Sequence, residues 1–207
     1  MKGTIPRATV KRLPLYLQVL EDLPPAERTV SSGQLARAAG VKAANVRKDL
    51  SFLGSNGVRG VGYDAAQLRN QIARKLGRMD ACPVAIIGAG NLGQALSGYP
   101  GFIDRGFEVA GLFDVDASKV GATYYGIVVE SVDGLEKAIE QRGVSIGIIT
   151  TVPAAAQDIA DRLAAAGIRS ILNFAAVTLE VPEGVEVRRV DLSTELQILS
   201  YYLHESA

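Results

Sequence analysis

The run Val84-Ala85-Ile86-Ile87-Gly88-Ala89-Gly90-Asn91-Leu92-Gly93 decides the fold of the larger half of this chain. Its first four residues form a short continuous apolar run, the pattern of a strand buried on both faces. The G-x-G-x-x-G that follows opens a helix. In that arrangement Gly88 permits a tight turn, Gly90 lets backbone approach a pyrophosphate, and Gly93 lets the helix pack close to the strand. The backbone of Gly88, Ala89, Gly90, Asn91, Leu92 and Gly93 thereby offers N–H groups at a helix N-terminus, which bind an anion without any basic side chain. A second strand ends Leu112-Phe113-Asp114, setting an acid twenty-one residues beyond Gly93. A carboxylate there accepts from adenosine ribose hydroxyls and repels a 2′-phosphate, which favours NAD and NADH over NADP. Asp116 is a weaker candidate for the same role and otherwise caps the turn at Ser118. A glycine-rich turn alone is often purely structural. The strand before it, the helix after it and the acid beyond make the case for a dinucleotide.

Outward from this loop the chain alternates. Further strands are predicted at Glu108 to Phe113, Ser145 to Thr150, Ser170 to Leu172 and Val185 to Val190, and the clearest helix at Ala154 to Ala166, closed by Gly167. Such alternation argues for an α/β fold with a parallel sheet covered on both faces. Catalytic chemistry is thin. The 207 residues include one cysteine, Cys82, and one histidine, His204. An intramolecular disulfide and a multi-cysteine metal site are excluded, and a histidine-based zinc site or triad nearly so. A dehydrogenase must move a proton alongside its hydride. After the glycine loop the lysines are only Lys119 and Lys137, on segments that read as surface. Tyr124 and Tyr125 are adjacent, so in a strand they face opposite sides, one of them into the core. A bound dinucleotide without a catalytic group suggests a sensor. With 48% hydrophobic and 21% charged residues the composition is that of an ordinary globular protein. No apolar run approaches the ~18 residues of a membrane span and no signal-peptide core opens the chain, so a cytoplasmic protein is expected.

The formal net charge of zero conceals a division. Through Arg78 there are fourteen Lys and Arg against five Asp and Glu, a net +9; the remainder carries −9. That asymmetry suits a basic module meeting a polyanion, joined to an acidic module that does not. The basic half reads as short helices. Val10, Leu13, Leu17 and Leu20 share one face of a first helix, in which Pro14 sits awkwardly and implies a later start or a bend. Ser31 and Gln34 fit a capping box for a second helix, and Gly40 suits its exit. A third helix spans about Lys42 to Leu53, with Val46, Leu50 and Leu53 inward and Ala44, Asn45, Arg47, Lys48 and Ser51 outward. This is the layout of a helix-turn-helix whose second helix enters the major groove, with Ser32 at the start of the preceding helix a further candidate contact. Ser55-Asn56-Gly57-Val58-Arg59-Gly60-Val61-Gly62-Tyr63 then reads as a small hairpin turning at Asn56-Gly57, a wing presenting Arg59. Leu68, Ile72 and Leu76 mark a last helix, and Gly77 to Ala81 a linker.

Together these residues resemble the Rex family of bacterial redox-sensing transcriptional repressors, nearly end to end. The most specific stretches are Val46-Arg47-Lys48-Asp49-Leu50-Ser51-Phe52-Leu53-Gly54 and Gly57-Val58-Arg59-Gly60-Val61-Gly62-Tyr63. Gly98-Tyr99-Pro100-Gly101-Phe102, Phe113-Asp114-Val115-Asp116 and Ile171-Leu172-Asn173-Phe174-Ala175 add to them. The resemblance implies a homodimer of winged helix-turn-helix and Rossmann domains, with a C-terminal helix exchanged between subunits. It also implies repression at low NADH/NAD ratio and release from a pseudopalindromic operator in double-stranded DNA when NADH binds. On that basis the domains are expected at 1–78, 79–190 and, for the dimerisation helix, 191–207. Arg47, Lys48 and Ser51 match the family's recognition helix, Arg59 its wing, and Gly88, Gly90, Gly93 and Asp114 its dinucleotide contacts. Tyr99 matches a tyrosine near the nicotinamide, Asp191 an acid that pairs with it in one state, and Thr151-Val152-Pro153 would border the ring.

Two positions depart from the pattern: Gln18 stands where some members carry an arginine that pairs with that acid, and Ala176 where many have proline. Leu192, Leu196, Leu199 and Leu203 give the last helix an apolar stripe whose spacing alone fits an intramolecular core helix; the resemblance moves it to a partner subunit. Cys82 reads as a small buried hydrophobe, and His204 as a surface residue or a favourable charge at a helix C-terminus. An NADH-responsive repressor is thus expected, with no membrane and no metal, and not an enzyme. An NAD-dependent oxidoreductase with an accessory N-terminal domain and a CoA-binding protein of the same topology are the competing readings.

Overall fold

The computed structural model describes residues 5–55, 57–77 and 81–205. It divides the chain into two compact units, Met1–Asp80 and Ala81–Ala207.

In the first unit α1 (Arg7–Glu21), β1 (Thr29–Val30), α2 (Ser32–Ala38), α3 (Ala43–Phe52), β2 (Tyr63–Asp64) and α4 (Ala65–Lys75) follow one another. Leu13, Leu17 and Leu20 of α1 pack with Leu35, Val46, Leu50, Leu68 and Ile72, each burial contributing about 1.5–3 kcal/mol. Val10 is not on this face; it is 45% exposed, and Thr9 and Tyr16 are buried instead. Nor does Pro14 delay the helix, which starts at Arg7 and runs through it. Pro14 and Val10 are both exposed, so the carbonyl that loses its partner lies on the side open to water. The Ser31–Gln34 capping box forms, the Ser31 hydroxyl accepting from the Gln34 N–H at 3.1 Å and the Gln34 amide oxygen from the Ser31 N–H at 2.8 Å.

The wing differs from expectation. Asn56 lies outside the described residues, and a turn is made three residues further on, across Arg59-Gly60-Val61, closed by Val58–Gly62 backbone bonds of 2.8 and 2.9 Å. Tyr63–Asp64 pairs antiparallel with Thr29–Val30, a strand too short to show in the sequence. Gly62 sits at φ 103°, and a Cβ there would come within 2.5 Å of the Val30 carbonyl oxygen, so this glycine lets the wing lie against β1.

The second unit holds β3 (Cys82–Ile87), α5 (Asn91–Ser97), α6 (Pro100–Ile103), β4 (Phe107–Asp114), β5 (Thr123–Tyr124), β6 (Ile127–Ser131), α7 (Leu135–Arg142), β7 (Ile146–Ile149), α8 (Pro153–Ala165), β8 (Ser170–Asn173), β9 (Glu186–Arg189) and α9 (Leu192–Glu205). The sheet runs β5-β6-β4-β3-β7-β8-β9, parallel except for the edge strand β5. Apart from β5 this is the doubly wound order, whose direction reverses between β3 and β7; ligands bind at that switch point. The hairpin β5–β6 was not anticipated. Tyr125 occupies its turn at φ 50° and is exposed, while Tyr124 ends β5 half-buried, so the pair does not share a strand.

The two sheet faces are covered unequally. Leu135, Ile139, Ile159 and Leu163 of α7 and α8 seal one. Over the other an apolar hollow of about 240 Å³ remains, lined by Val84, Phe102, Phe107, Ile146, Ile148 and Leu172 among others. α9 does not fill it. No residue of α9 is buried, and Leu192, Leu196, Leu199 and Leu203 are 59–74% exposed. The intramolecular packing that the leucine spacing fits on its own is therefore absent. Cys82 is half-buried at the start of β3, where burial pushes its thiol up and disfavours the thiolate. His204 is exposed in the last turn of α9. Among the described residues no helix is long and apolar enough to cross a membrane, and no three His, Cys, Asp or Glu are grouped to hold a metal ion.

Candidate functional site

At the switch point the glycine loop leaves β3 beside the end of β7. Gly88 turns at φ 111°, and a Cβ there would meet the Thr150 backbone at 2.8 Å; one at Gly93 would collide with the Gly88 carbonyl oxygen. A Cβ at Gly90 meets nothing within 4 Å, so that side of the loop faces open space. Thr150 ties the strands together, its hydroxyl donating to the carbonyl oxygens of Gly88 at 2.8 Å and Ile87 at 3.1 Å. A cleft of about 310 Å³ opens above, lined by Gly88, Gly90, Asp114, Thr151 and Val152 with Val115, Asp116, Lys119, Asp158 and Arg162. Ala89, Asn91, Leu92 and Gly93 belong to the loop and the helix start; they are not in the cleft wall, and neither are Pro153, Tyr99 and Asp191.

Asp114 is the most constrained group in this cleft. It is 7% exposed. Its Oδ2 accepts from the Ala89 N–H at 2.7 Å and from Lys119 Nζ at 3.0 Å, and its Oδ1 from the Asp116 N–H at 2.9 Å. Burial by itself would raise this carboxyl; the bonds from Asp116, Lys119 and Ala89 outweigh it and hold the group below the usual carboxylate range. Lys119, read in the sequence as surface, is thus folded over the acid, and only its position five residues after Asp114 could have hinted at that. Asp116 caps its turn, accepting from the Ser118 N–H at 2.9 Å and hydroxyl at 2.6 Å. Thr151 Oγ1 is buried with no hydrogen-bond partner among the described residues. A buried hydroxyl left unpaired is costly, and it borders the cleft.

Tyr99 lies beyond the far end of α5, half-exposed, its ring edge-on to Phe102 at 5.3 Å. Asp191 is engaged elsewhere: it accepts from Arg189 at 2.6 Å and from the Ser193 N–H at 3.1 Å. No hydrogen bond joins Tyr99 to Asp191 among the described residues.

In the first unit Ala44, Asn45, Arg47, Lys48 and Ser51 all lie exposed on α3. A hollow of about 410 Å³ between α2, α3 and the wing brings Ser32, Arg47 and Arg59 together with Ser31. Arg47 reaches across it to the Ser32 hydroxyl at 3.3 Å. Lys48 and Arg59 form no ion pair among the described residues. A cationic rim on a helix-sized ridge is suited to phosphates and base edges.

Comparison with known proteins decides what this pairing is. A repressor from Streptomyces griseus, named redox-sensing transcriptional repressor Rex, is 57% identical over 98% of this chain and 81% of its own. The Rex of Carboxydothermus hydrogenoformans is 44% identical over 97% of this chain and 98% of its own. The chain belongs to the Rex family. Rex proteins are transcriptional repressors, so the oxidoreductase reading is set aside. Two family models match, one described as a putative DNA-binding protein N-terminus over residues 4–51 and one as a CoA binding domain over residues 80–177. A crystal structure of RSP in complex with β-NAD+ and operator DNA superposes with a TM-score of 0.90 at 36% identity, covering 99% of this chain and 94% of that one. RSP in complex with β-NADH superposes with a TM-score of 0.87. The fold is that of Rex repressors: an N-terminal DNA-binding domain and a Rossmann-type parallel α/β domain.

Proposed function

We propose that this Rex protein represses transcription by binding a pseudopalindromic operator as a homodimer, and that NADH in its second unit lowers operator affinity. The observation that carries the reading is the cleft at the switch point. It combines an open glycine loop, a buried acid and an orphaned hydroxyl, and its lysine, Lys119, is tied to that acid. The N–H groups of Gly90, Asn91 and Leu92 would take the pyrophosphate, since the first N–H groups of a helix lack intrahelical partners. The Ala89 N–H is already held by Asp114, so Ala89 shapes the loop and is not expected to donate to phosphate. Asp114 would receive the adenosine ribose. Thr151 and Val152, with Pro153 behind them, would border the ring. Bound NADH presents a neutral nicotinamide ring and NAD a positive one, and an apolar enclosure favours the neutral ring because an unpaired buried charge is costly.

Arg47, Lys48, Ser51 and Arg59 would contact DNA, with Ser32, Ala44 and Asn45 lining the same surface. The bare apolar stripe of α9 and the uncovered hollow over the sheet supply two surfaces that a second copy would bury. Tyr99 and Asp191 would form the switch, Asp191 leaving Arg189 in the state that binds Tyr99. The test is operator binding measured alone, with NAD, and with NADH, alongside direct titration with NADPH and CoA. Release by NADH and not by NAD supports the reading. Release by CoA, or no effect of either nicotinamide form, contradicts it.

A further inference from the structure

The recognition helix carries an acid that its expected contacts with DNA do not use. Asp49 is 1% exposed on the inward side of α3, and its carboxylate is filled entirely from α1. The Thr9 hydroxyl donates to Oδ1 at 2.7 Å and Arg12 Nη2 to the same oxygen at 2.8 Å. Arg12 Nε donates to Oδ2 at 2.6 Å and the Tyr16 hydroxyl at 2.8 Å. Thr9, Arg12 and Tyr16 fall three and four residues apart, on one stripe of α1. Two oxygens with two donors each leave the carboxylate no free acceptor site, and the planar guanidinium fork fixes the plane of the group as well as its position.

Buried ion pairs are a poor way to gain stability, because desolvation offsets their attraction; their best-attested use is to select one arrangement among several. The arrangement selected here is the roll of α3 about its own axis. With side chains reaching about 5–6 Å from a helix axis, a 20° roll moves their ends by about 2 Å, more than a hydrogen bond tolerates. Arg47, Lys48 and Ser51 lie within two residues of Asp49 and move with it.

We infer that Asp49 is a positioning residue for operator recognition: held by Thr9, Arg12 and Tyr16, it fixes the roll of the recognition helix and so sets sequence specificity, not merely stability. The inference rests on α3 being the DNA-reading helix. Its test separates fold from specificity. The whole cluster is replaced by apolar residues of similar size in one variant, T9V/R12M/Y16F/D49L, beside the mild variant Tyr16→Phe, which removes a single donor. Three quantities are read: thermal midpoint, affinity for an operator selected by the parent protein from a random duplex library, and affinity for a scrambled duplex. The expected result is a fourfold variant with a thermal midpoint near the parent's, scrambled-duplex affinity within threefold and operator affinity reduced at least tenfold. Tyr16→Phe should lower the ratio of operator to scrambled affinity two- to fivefold. A folded fourfold variant with unchanged ratio overturns the inference. If the fourfold variant does not fold, an unchanged ratio in Tyr16→Phe overturns it alone. The double variant R47A/K48A is the separate control: if it leaves operator affinity intact, the assignment of α3 as the reading helix fails instead.

Discussion

The two units handle positive charge in opposite ways. In the second, four of the cations are paired with acids of the same unit: Arg142 with Glu130 at 2.6 Å, Arg162 with Glu136 at 2.7 Å, Lys119 with Asp114 at 3.0 Å and Arg189 with Asp191 at 2.6 Å. In the first, Arg47 reaches only a hydroxyl, and Lys48 and Arg59 stand exposed without an ion pair among the described residues. Arg12, by contrast, is held by the buried Asp49. Exposed ion pairs contribute little to stability, so the pairing in the second unit matters mainly for what it withholds from a polyanion. Unpaired cations on a helix ridge would give the first unit an electrostatic footprint for DNA, whereas the second would keep Asp114 for a ligand with hydroxyls.

The largest effect should come from breaking the Arg12–Asp49 pair. Asp49→Ala leaves the Arg12 guanidinium without its acid and should cost the first unit about 3–5 kcal/mol, read as a lower thermal midpoint for that unit. Burial alone would raise the Asp49 carboxyl, but Arg12, Thr9 and Tyr16 outweigh it and hold it below its ordinary value. A group with a depressed folded-state pKa stabilises above its unfolded value, about 3.9 for aspartate, and that contribution is lost as pH falls through the folded one. Acid should therefore destabilise the first unit below about pH 4 in the parent and much less in Asp49→Ala. Equal acid sensitivity in the two would remove Asp49 from the account.

Next in size are the exposed cations. Arg47→Ala and Lys48→Ala should each weaken operator binding by about 1–3 kcal/mol if they read bases, with relaxed specificity at one position. A phosphate contact would instead weaken all sequences alike and flatten the salt dependence. The same substitution at Arg142, which is tied to Glu130, should leave DNA affinity unchanged; an equal loss there would erase the contrast between the units. Asp114→Ala should weaken NADH by about 1.5–3 kcal/mol, the scale of a hydrogen bond to a charged group, and narrow the gap to NADPH because Lys119 is freed as the acid goes. Fluorescence titration with both cofactors checks it, and an unmodified protein that binds them equally contradicts the role given to Asp114. The smallest effect is expected of Tyr99→Phe, about 0.5–1.5 kcal/mol for one hydroxyl. It should appear as a shifted NADH midpoint for operator release with cofactor-free DNA affinity unchanged.

How far the sequence carried the account depended on the range of the interaction. The glycine loop, the Ser31–Gln34 box and the strand cores were legible because their signals are local: a spacing, a cap, an apolar run. The two-residue strands Thr29–Val30 and Thr123–Tyr124 were not, since so short a segment has no period and is made a strand by its partner. Asp49 and Lys119 were missed for a related reason. Charged side chains default to the surface, and only the third dimension shows that Thr9, Arg12 and Tyr16 converge on one, or that the other folds back on Asp114. The leucines of α9 misled when read alone, because an apolar stripe announces burial without naming the surface that provides it.

The central claim is that the two units share one equilibrium, so that the cofactor in the second sets the hold of the first on DNA. Linkage makes this testable without any variant, because a coupling between two ligands is reciprocal. The direct measurement is NADH affinity with and without saturating operator, compared with operator affinity with and without saturating NADH. Operator should weaken NADH by the same factor by which NADH weakens operator, and NAD should give a smaller factor. An NADH affinity indifferent to operator, with both ligands bound normally, would contradict it.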